Sequence, residues 1–359
     1  MVCAAVALCA TAAVVAGRPP VAHASINVTP YVTGSFTAHK REPAFLRDSG
    51  DDHGHISYRI AALKLHRPQR LPVYVIGDSL VRECLTTPGD LASRIQADSG
   101  VTTSVYDFGS SNQPFGESLA IVDNLPKPPG VVVISVSQNR FVWSSSLARN
   151  QVRGIRLLMP STTLWRFILQ TFGKAPRNSI APGVTAYLAD WRLRNAALLK
   201  AGKKPWHPYE MHRLGGMFSD DEKRELVAKW LTGRGRPGGA FDTWYDFNGR
   251  LLDRAVRRAR ARGFTVVLME GSQNLDIVGA TWDRYKAVYR PLCQQIAAAD
   301  GAGYIDPNLT AGLVDADFRD AIHLVVSGRL KWMDALAGLL TPSVQALAPS
   351  PSPTAGSAP

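Results

Sequence analysis

The stretch VYVIGDSLVRECL, residues 73–85, sets a serine where a strand breaks into a helix. Apolar and aromatic residues at 73–76 run into Gly77-Asp78-Ser79, and an amphipathic segment follows, so Ser79 stands at the carboxyl edge of a sheet. A serine there either caps a helix or attacks an acyl group. To attack, it needs a base to take its proton and a third group to orient that base. The chain has 8 histidines. His23 lies in an N-terminal apolar segment, His39, His53, His55 and His66 precede or border the first strand, and His207 and His212 fall in a long helical stretch. His323 differs: it follows the last strand in DADFRDAIHLVVSGR (residues 315–329), with Asp320 three residues earlier. That spacing lets Asp320 hold one ring nitrogen while the other faces Ser79.

Acyl chemistry also requires donors aimed at a developing oxyanion. The candidates are the Ser79 backbone amide, the loop DFGSSNQPFGES (residues 107–118) with amides near Gly109 and Asn112, and the Asn139 side chain directly after the third strand. The run Asp51-Asp52-His53-Gly54-His55 reads as a solvated polar loop, since no further ligand cluster accompanies it. No Walker A or G-x-G-x-x-G loop occurs, so neither a metal nor a cofactor is expected. The G-x-S-x-G elbow of α/β-hydrolases is absent as well.

These residues need a scaffold that brings strand ends together. Strands are predicted at residues 73–76, 102–108, 130–136, 264–270 and 303–306. Helices are predicted at about 80–97 (interrupted near Thr87-Pro88-Gly89), 116–125, 243–262, 281–299 and 326–340. The alternation implies an α/β fold with a doubly wound, flavodoxin-like parallel sheet of about five strands. Its ligand site lies outside the carboxyl ends of the strands, where GDS, GSSN and SQN all fall. Residues 144–241 interrupt the alternation as a basic, mostly helical insertion. It includes TLWRFILQTF, VTAYLADWRLRNAALLKAG and SDDEKRELVAKWL, the last opening with a Ser219–Glu222 capping box.

The ends differ from the middle. Residues 2–16 are uncharged and precede an A-x-A-like site at Ala22-His23-Ala24, as in an export signal, cleaved or kept as an anchor. Residues 25–66 read as an extended arm, with strand-like INVTPYV and a polar loop, RDSGDDHGH. Residues 342–359 read as a flexible Pro/Ser/Ala tail. Cys84 and Cys293 form either one disulfide or two separate buried thiols. A net charge of +12 favours anionic partners, either a cell-wall polymer or a membrane surface. No nucleic-acid-binding pattern is present. The run RAVRRARAR (residues 254–262) also fits a solvated helix face whose buried stripe is Leu251, Leu252, Ala255, Val256 and Ala259.

With these residues in view, the sequence resembles the SGNH (GDSL-type) hydrolase superfamily over about residues 71–341, most of the insertion excluded. The GDS block is intact at Gly77-Asp78-Ser79 and the D-x-x-H block at Asp320 to His323. Gly109 and Asn112 fit the second block loosely. Asn139 matches the third-block asparagine, but Ser137 stands where the family has glycine and Arg140 where it has aspartate. The resemblance implies Ser79 as nucleophile, His323 as base, Asp320 as its orienter, and Ser79, Asn139 and Asn112 or Gly109 as oxyanion donors. It implies acyl transfer from an ester to water or another hydroxyl; together with the export-like segment, the expected substrate is an acyl ester or O-acylated carbohydrate or cell-envelope polymer outside the cytoplasm. The closing segment FRDAIHLVVSGRLKW is similar to that of the family's membrane-associated O-acyltransferase-like and D-alanyl transfer proteins. A second expectation, from the altered third block, is an inert module that binds an anionic envelope polymer through its basic insertion.

Overall fold

A computed structural model describes residues 52–65, 67–152, 157, 159, 161–174, 217–232 and 237–348. In chain order the elements are α1 (Asp52–Leu65), β1 (Leu71–Gly77), α2 (Ser79–Cys84), α3 (Pro88–Ser99), β2 (Thr103–Gly109), α4 (Phe115–Asn124) and β3 (Val131–Val136). A 3₁₀ turn (Gln138–Phe141) leads to α5 (Ser145–Val152), α6 (Thr162–Phe172), α7 (Asp220–Thr232), α8 (Pro237–Ala261), β4 (Thr265–Glu270), α9 (Leu275–Val278), α10 (Asp283–Ala299), β5 (Gly303–Ile305) and α11 (Val326–Gln345).

The chain folds as two units. One contains α1, α5, α6 and residues 119–125. Within it, Ser161 caps α6 by accepting the Leu164 N–H at 3.0 Å and donates its hydroxyl to Asp123 at 2.6 Å. The other carries the sheet, in the order β2-β1-β3-β4-β5 with every pair parallel. This is the doubly wound, flavodoxin-like arrangement the sequence predicts.

β1 and β3 are near-continuous β-branched runs because both faces of the sheet are covered. On one face Val73, Val75, Val131, Val133, Val267 and Met269 pack with Leu91 and Ile95 of α3 and Trp332, Leu336 and Leu340 of α11. On the other, α8 presents Leu251, Leu252, Ala255, Val256 and Ala259, all fully buried. The basic run on α8 is therefore the polar side of a core helix. Arg257 pairs with Asp253 at 3.0 Å, and Arg260 donates to the Asp300 and Phe264 carbonyls.

Three expectations are corrected. The end of the predicted arm, including part of its polar loop, is helix α1: Ile56, Ile60 and Leu63 recur at helical spacing and are buried, outweighing the His- and Gly-rich start. The predicted tail begins too early, because α11 runs through Pro342 to Gln345 and fully buries Val344 in the core. The insertion is not one body: α5 and α6 belong to the first unit and α7 to the second. Cys84 and Cys293 are separate buried thiols. The export segment, INVTPYV, VTAYLADWRLRNAALLKAG and residues 349–359 lie outside the described residues.

Two glycines let α2 lie against the strand ends. A Cβ on Gly77 would collide with Val81 and come within 2.7 Å of Ser135 Cβ, and one on Gly109 would strike the backbone nitrogen of Arg82. Backbone cannot yield as a side-chain tip can. Gly109→Ala is expected to cost at least about 3 kcal/mol in urea denaturation, the upper end for overpacking. Gly239→Ala, where a Cβ meets nothing within 4 Å, should leave stability unchanged or raise it. Equal behaviour of the two variants would contradict the packing argument.

Candidate active site

Ser79 begins α2 directly after β1. Asp78 caps the helix, its carboxylate accepting the Leu80 N–H at 3.1 Å. Ser79 is therefore not itself the cap, and its hydroxyl is free to point elsewhere. The Ser79 hydroxyl lies 3.0 Å from His323 Nε2, and His323 Nδ1 lies 2.7 Å from Asp320 Oδ2. With Nδ1–H donated to Asp320, Nε2 is the acceptor for the Ser79 hydroxyl. The other Asp320 oxygen accepts the Ile322 and His323 N–H groups at 2.8 and 2.9 Å, which locks the three-residue spacing into one turn.

The loop that carries this pair is held from two sides. After β4, Ser272 donates its hydroxyl to the Ile322 carbonyl at 2.7 Å and the Asn274 N–H reaches the Ala321 carbonyl at 3.0 Å. From α7, the fully buried Lys223 pairs with Asp315 at 2.6 Å, and Asp315 also accepts Asn274 Nδ2 at 2.6 Å. Ser219 and Glu222 form the predicted capping box at the start of α7, with the Ser219 N–H donated to Glu222 at 2.7 Å. These anchors were not singled out in the sequence, because lysine and asparagine in helical or loop segments ordinarily face water.

Charge is concentrated around the imidazole. Burial disfavours its cation, yet the hydrogen bond it donates to Asp320 and the negative charges of Asp320, Glu83 and Asp78 outweigh that and raise the His323 pKa above 6.5. Glu83, one helical turn after Ser79, brings a carboxylate oxygen to 3.9 Å from Nε2 and pairs with Arg82 at 3.2 Å. Burial acts to raise the Asp320 pKa, but its hydrogen bonds to His323 and the two N–H groups lower it overall.

Of the predicted oxyanion donors, two remain open toward chemistry, Ser79 and Asn139. The Ser79 N–H has no partner among the described residues, while its neighbours Leu80, Val81 and Arg82 donate to Asp78. Asn139 lines a cavity with His323, and neither polar atom of its side chain is engaged by a described residue. Asn112 is exposed and has φ +54°, a left-handed conformation that asparagine tolerates better than most side chains. Gly109 is corrected: its N–H is donated to Asp107 at 2.7 Å, and the residue is a glycine to make room for α2.

Arg140 is fully buried. It donates to the Ser135 carbonyl and to the Ser118 hydroxyl, both at 2.5 Å, and to the Gln113 carbonyl at 3.1 Å, and lies 4.1 Å above the Phe115 ring. Ser118 in turn donates to Gln113, whose amide donates to the Phe108 carbonyl at 2.9 Å. The guanidinium thus ties the end of β3 to the loop that carries Asn112. Burial pushes the Arg140 pKa down to about 10, opposed by the charges of Asp78 and Glu117. Burial likewise raises the Asp78 pKa, and Arg140 is the chief group that opposes it.

No family model matches the sequence, and no curated protein matches it. Solved structures do resemble the fold. An acetylxylan esterase from Geobacillus stearothermophilus is 12% identical, covering 74% of this chain and 92% of its own, with a TM-score of 0.37. A carbohydrate acetylesterase family member from Sinorhizobium meliloti is 12% identical, covering 77% and 100%, at 0.34. An alpha/beta hydrolase enzyme from the metagenome of Lake Arreo is 12% identical, covering 77% and 96%, at 0.36.

Among the described residues, no group of three His, Cys, Asp or Glu side chains is placed to hold a metal ion. The charged centre is instead the buried guanidinium. Replacing Arg140 with Met removes the cation that steadies the buried Asp78 carboxylate and leaves the Ser135 and Gln113 carbonyls without their donor. It is expected to cost about 1–3 kcal/mol in chemical denaturation, the range for leaving a buried polar group unsatisfied. A loss below about 1 kcal/mol would show that the guanidinium is not part of the frame.

Proposed function

We propose that this protein is a serine acyl-transfer enzyme of the SGNH type, an esterase or O-acyltransferase working through an acyl-serine. The observation that carries the proposal is a single imidazole within hydrogen-bonding reach of both the Ser79 hydroxyl and the Asp320 carboxylate. Ser79 Oγ attacks the ester carbonyl as His323 Nε2 takes its proton. The tetrahedral oxyanion is held by the Ser79 N–H and Asn139, with Asn112 at the loop opposite. On collapse the C–O bond to the alcohol breaks, and His323 returns the proton to the leaving oxygen. A second hydroxyl, from water or a sugar, then enters along the same path and frees Ser79. Hydrolysis and transfer differ only in that acceptor.

The proposed substrate is an O-acylated carbohydrate or cell-envelope polymer outside the cytoplasm. The apolar run at residues 2–16 with its A-x-A-like site supports that location, and the +12 charge suits an anionic envelope. Within the basic insertion, residues 175–216 lie outside the described residues. Of its described lysines, Lys174 is exposed, Lys223 is spent on Asp315 and Lys229 pairs with Glu225 at 2.6 Å.

Ser79→Ala and His323→Ala are each expected to lower kcat on a short acyl ester by about 10³-fold or more, and Asn139→Ala by about 10²–10³-fold. Wild-type turnover in either of the first two would sink the assignment. The pH profile gives a separate check. His323 must be neutral to act as base, and its pKa is raised, so kcat/KM should fall on the acid side with a midpoint above 6.5. Glu83→Gln removes one of the charges that raise it, so the acid limb should move to lower pH. A limb unmoved by that change would exclude Glu83 from the electrostatics of the base.

A further inference from the structure

A cavity of about 250 Å³ opens beside His323, walled by Asn139, Leu226, Val227, Trp230, Trp282 and Ile322. Resting on the acyl-transfer reading above, we propose that this cavity is the subsite for the alcohol part of the ester, and that it selects a six-membered ring alcohol seated on Trp230.

The side of the site follows from proton bookkeeping. The alcohol oxygen must receive its proton from His323 Nε2 as the C–O bond breaks, so the alcohol lies on the imidazole side. An acceptor hydroxyl that resolves the acyl-serine gives its proton to the same nitrogen and enters from the same side. The cavity is lined by residues 320–323 of the histidine loop, which meets that requirement.

The chemical class follows from the walls. Helix α7 turns Leu226, 41% exposed, and the half-buried Trp230 to the cavity. Trp230 is held in place by Trp282, at 5.8 Å between ring centroids, and by Tyr285 edge-on at 5.1 Å. A braced indole offers a flat apolar face, and a saturated ring offers a flat C–H face of the same size, which an open two-carbon chain does not. The volume is below the roughly 300–1,000 Å³ of pockets that enclose drug-sized ligands, so one ring fits and a longer glycan has to continue outside. With Asn139 assigned to the oxyanion, Lys229 is the charged side chain on the walls besides the Asp320–His323 pair, so it is placed to meet a ring hydroxyl. The ring can come from a pyranoside or from a plain alicyclic alcohol.

The position of α7 makes this a designed wall. Lys223, two turns before Trp230, is bonded to Asp315 and so fixes α7 to the loop that carries His323. The Phe218 N–H, just ahead of α7, is donated to the Arg319 carbonyl at 3.0 Å. The base and the proposed ring platform therefore keep a fixed separation.

The test compares kcat/KM for cyclohexyl acetate and a mono-O-acetylated methyl pyranoside, each as a ratio to ethyl acetate, and reads the change of each ratio from the parent to the variant, in which leaving-group basicity cancels. In Trp230→Ala at least one ring ratio should fall about tenfold or more, the scale of losing an apolar contact in a specificity pocket, and Trp230→Phe should restore most of it. A fall for the pyranoside alone identifies a sugar, and an equal fall for both identifies an alicyclic ring read only by its C–H face. Both ring ratios unchanged in Trp230→Ala overturn the subsite. If that variant loses its cooperative thermal transition, Leu226→Ala at its exposed position reads the same ratio, with a fall of about threefold expected and no change overturning the proposal. Failure of the underlying reading looks different: Ser79→Ala would hydrolyse ethyl acetate as fast as the parent.

Discussion

A buried positive charge fixes the geometry of the candidate site. Arg140 has no water around it, so its guanidinium must be satisfied by the protein, and it draws in the last carbonyl region of β3, the Gln113 loop and Ser118. It also stabilises the ionised form of Asp78, the residue that caps the serine helix. Removing an ion from water costs several kcal/mol, offset in the measure that its donors are met. The arrangement persists because three of its N–H groups are, and the face of the ion stacks on Phe115. The ends of β1, β2 and β3 are therefore bound into one frame, and Ser79, Asn112 and Asn139 hang from it.

The histidine side is built differently. It has no central ion, and relies on a short loop tied by Ser272, Asn274 and the Lys223–Asp315 pair. The loop closes on itself through the Phe318–Leu324 bridge, with the Arg319 N–H donated to the His323 carbonyl at 2.8 Å. The two halves of the site, one from the first three strands and one from β4 onward, meet across the 3.0 Å between Ser79 and His323. Both lie at the carboxyl ends of parallel strands, as a doubly wound sheet requires.

Much of this was legible in the sequence, and for a local reason. A β-branched run ending in Gly-Asp-Ser, or an aspartate three residues before a histidine, encodes its geometry within a few residues. What escaped depends on distant partners. Arg140 read only as a departure from the third-block pattern, because nothing in SQNRF shows that Gln113 and Ser118 wait to receive it. Gly109 looked like an oxyanion donor, because only the fold shows Arg82 crossing it and Asp107 taking its N–H. Helix α1 was hidden by a His- and Gly-rich start, and the insertion looked like one body because charge and helicity run through it without a visible break. The basic stretch on α8 was decided by periodicity: its apolar stripe is buried, so much of its charge is the outer face of a core helix.

The central claim is that Ser79 becomes a covalent nucleophile because His323 and Asp320 activate it. Treating the protein with a fluorophosphonate at neutral pH and mapping the adduct by peptide mass spectrometry tests it most directly. The account predicts one adduct, on Ser79, formed rapidly in the parent protein and lost when His323 is replaced by Ala. A folded protein that stays unlabelled, or one labelled on Ser79 equally well without His323, would contradict it.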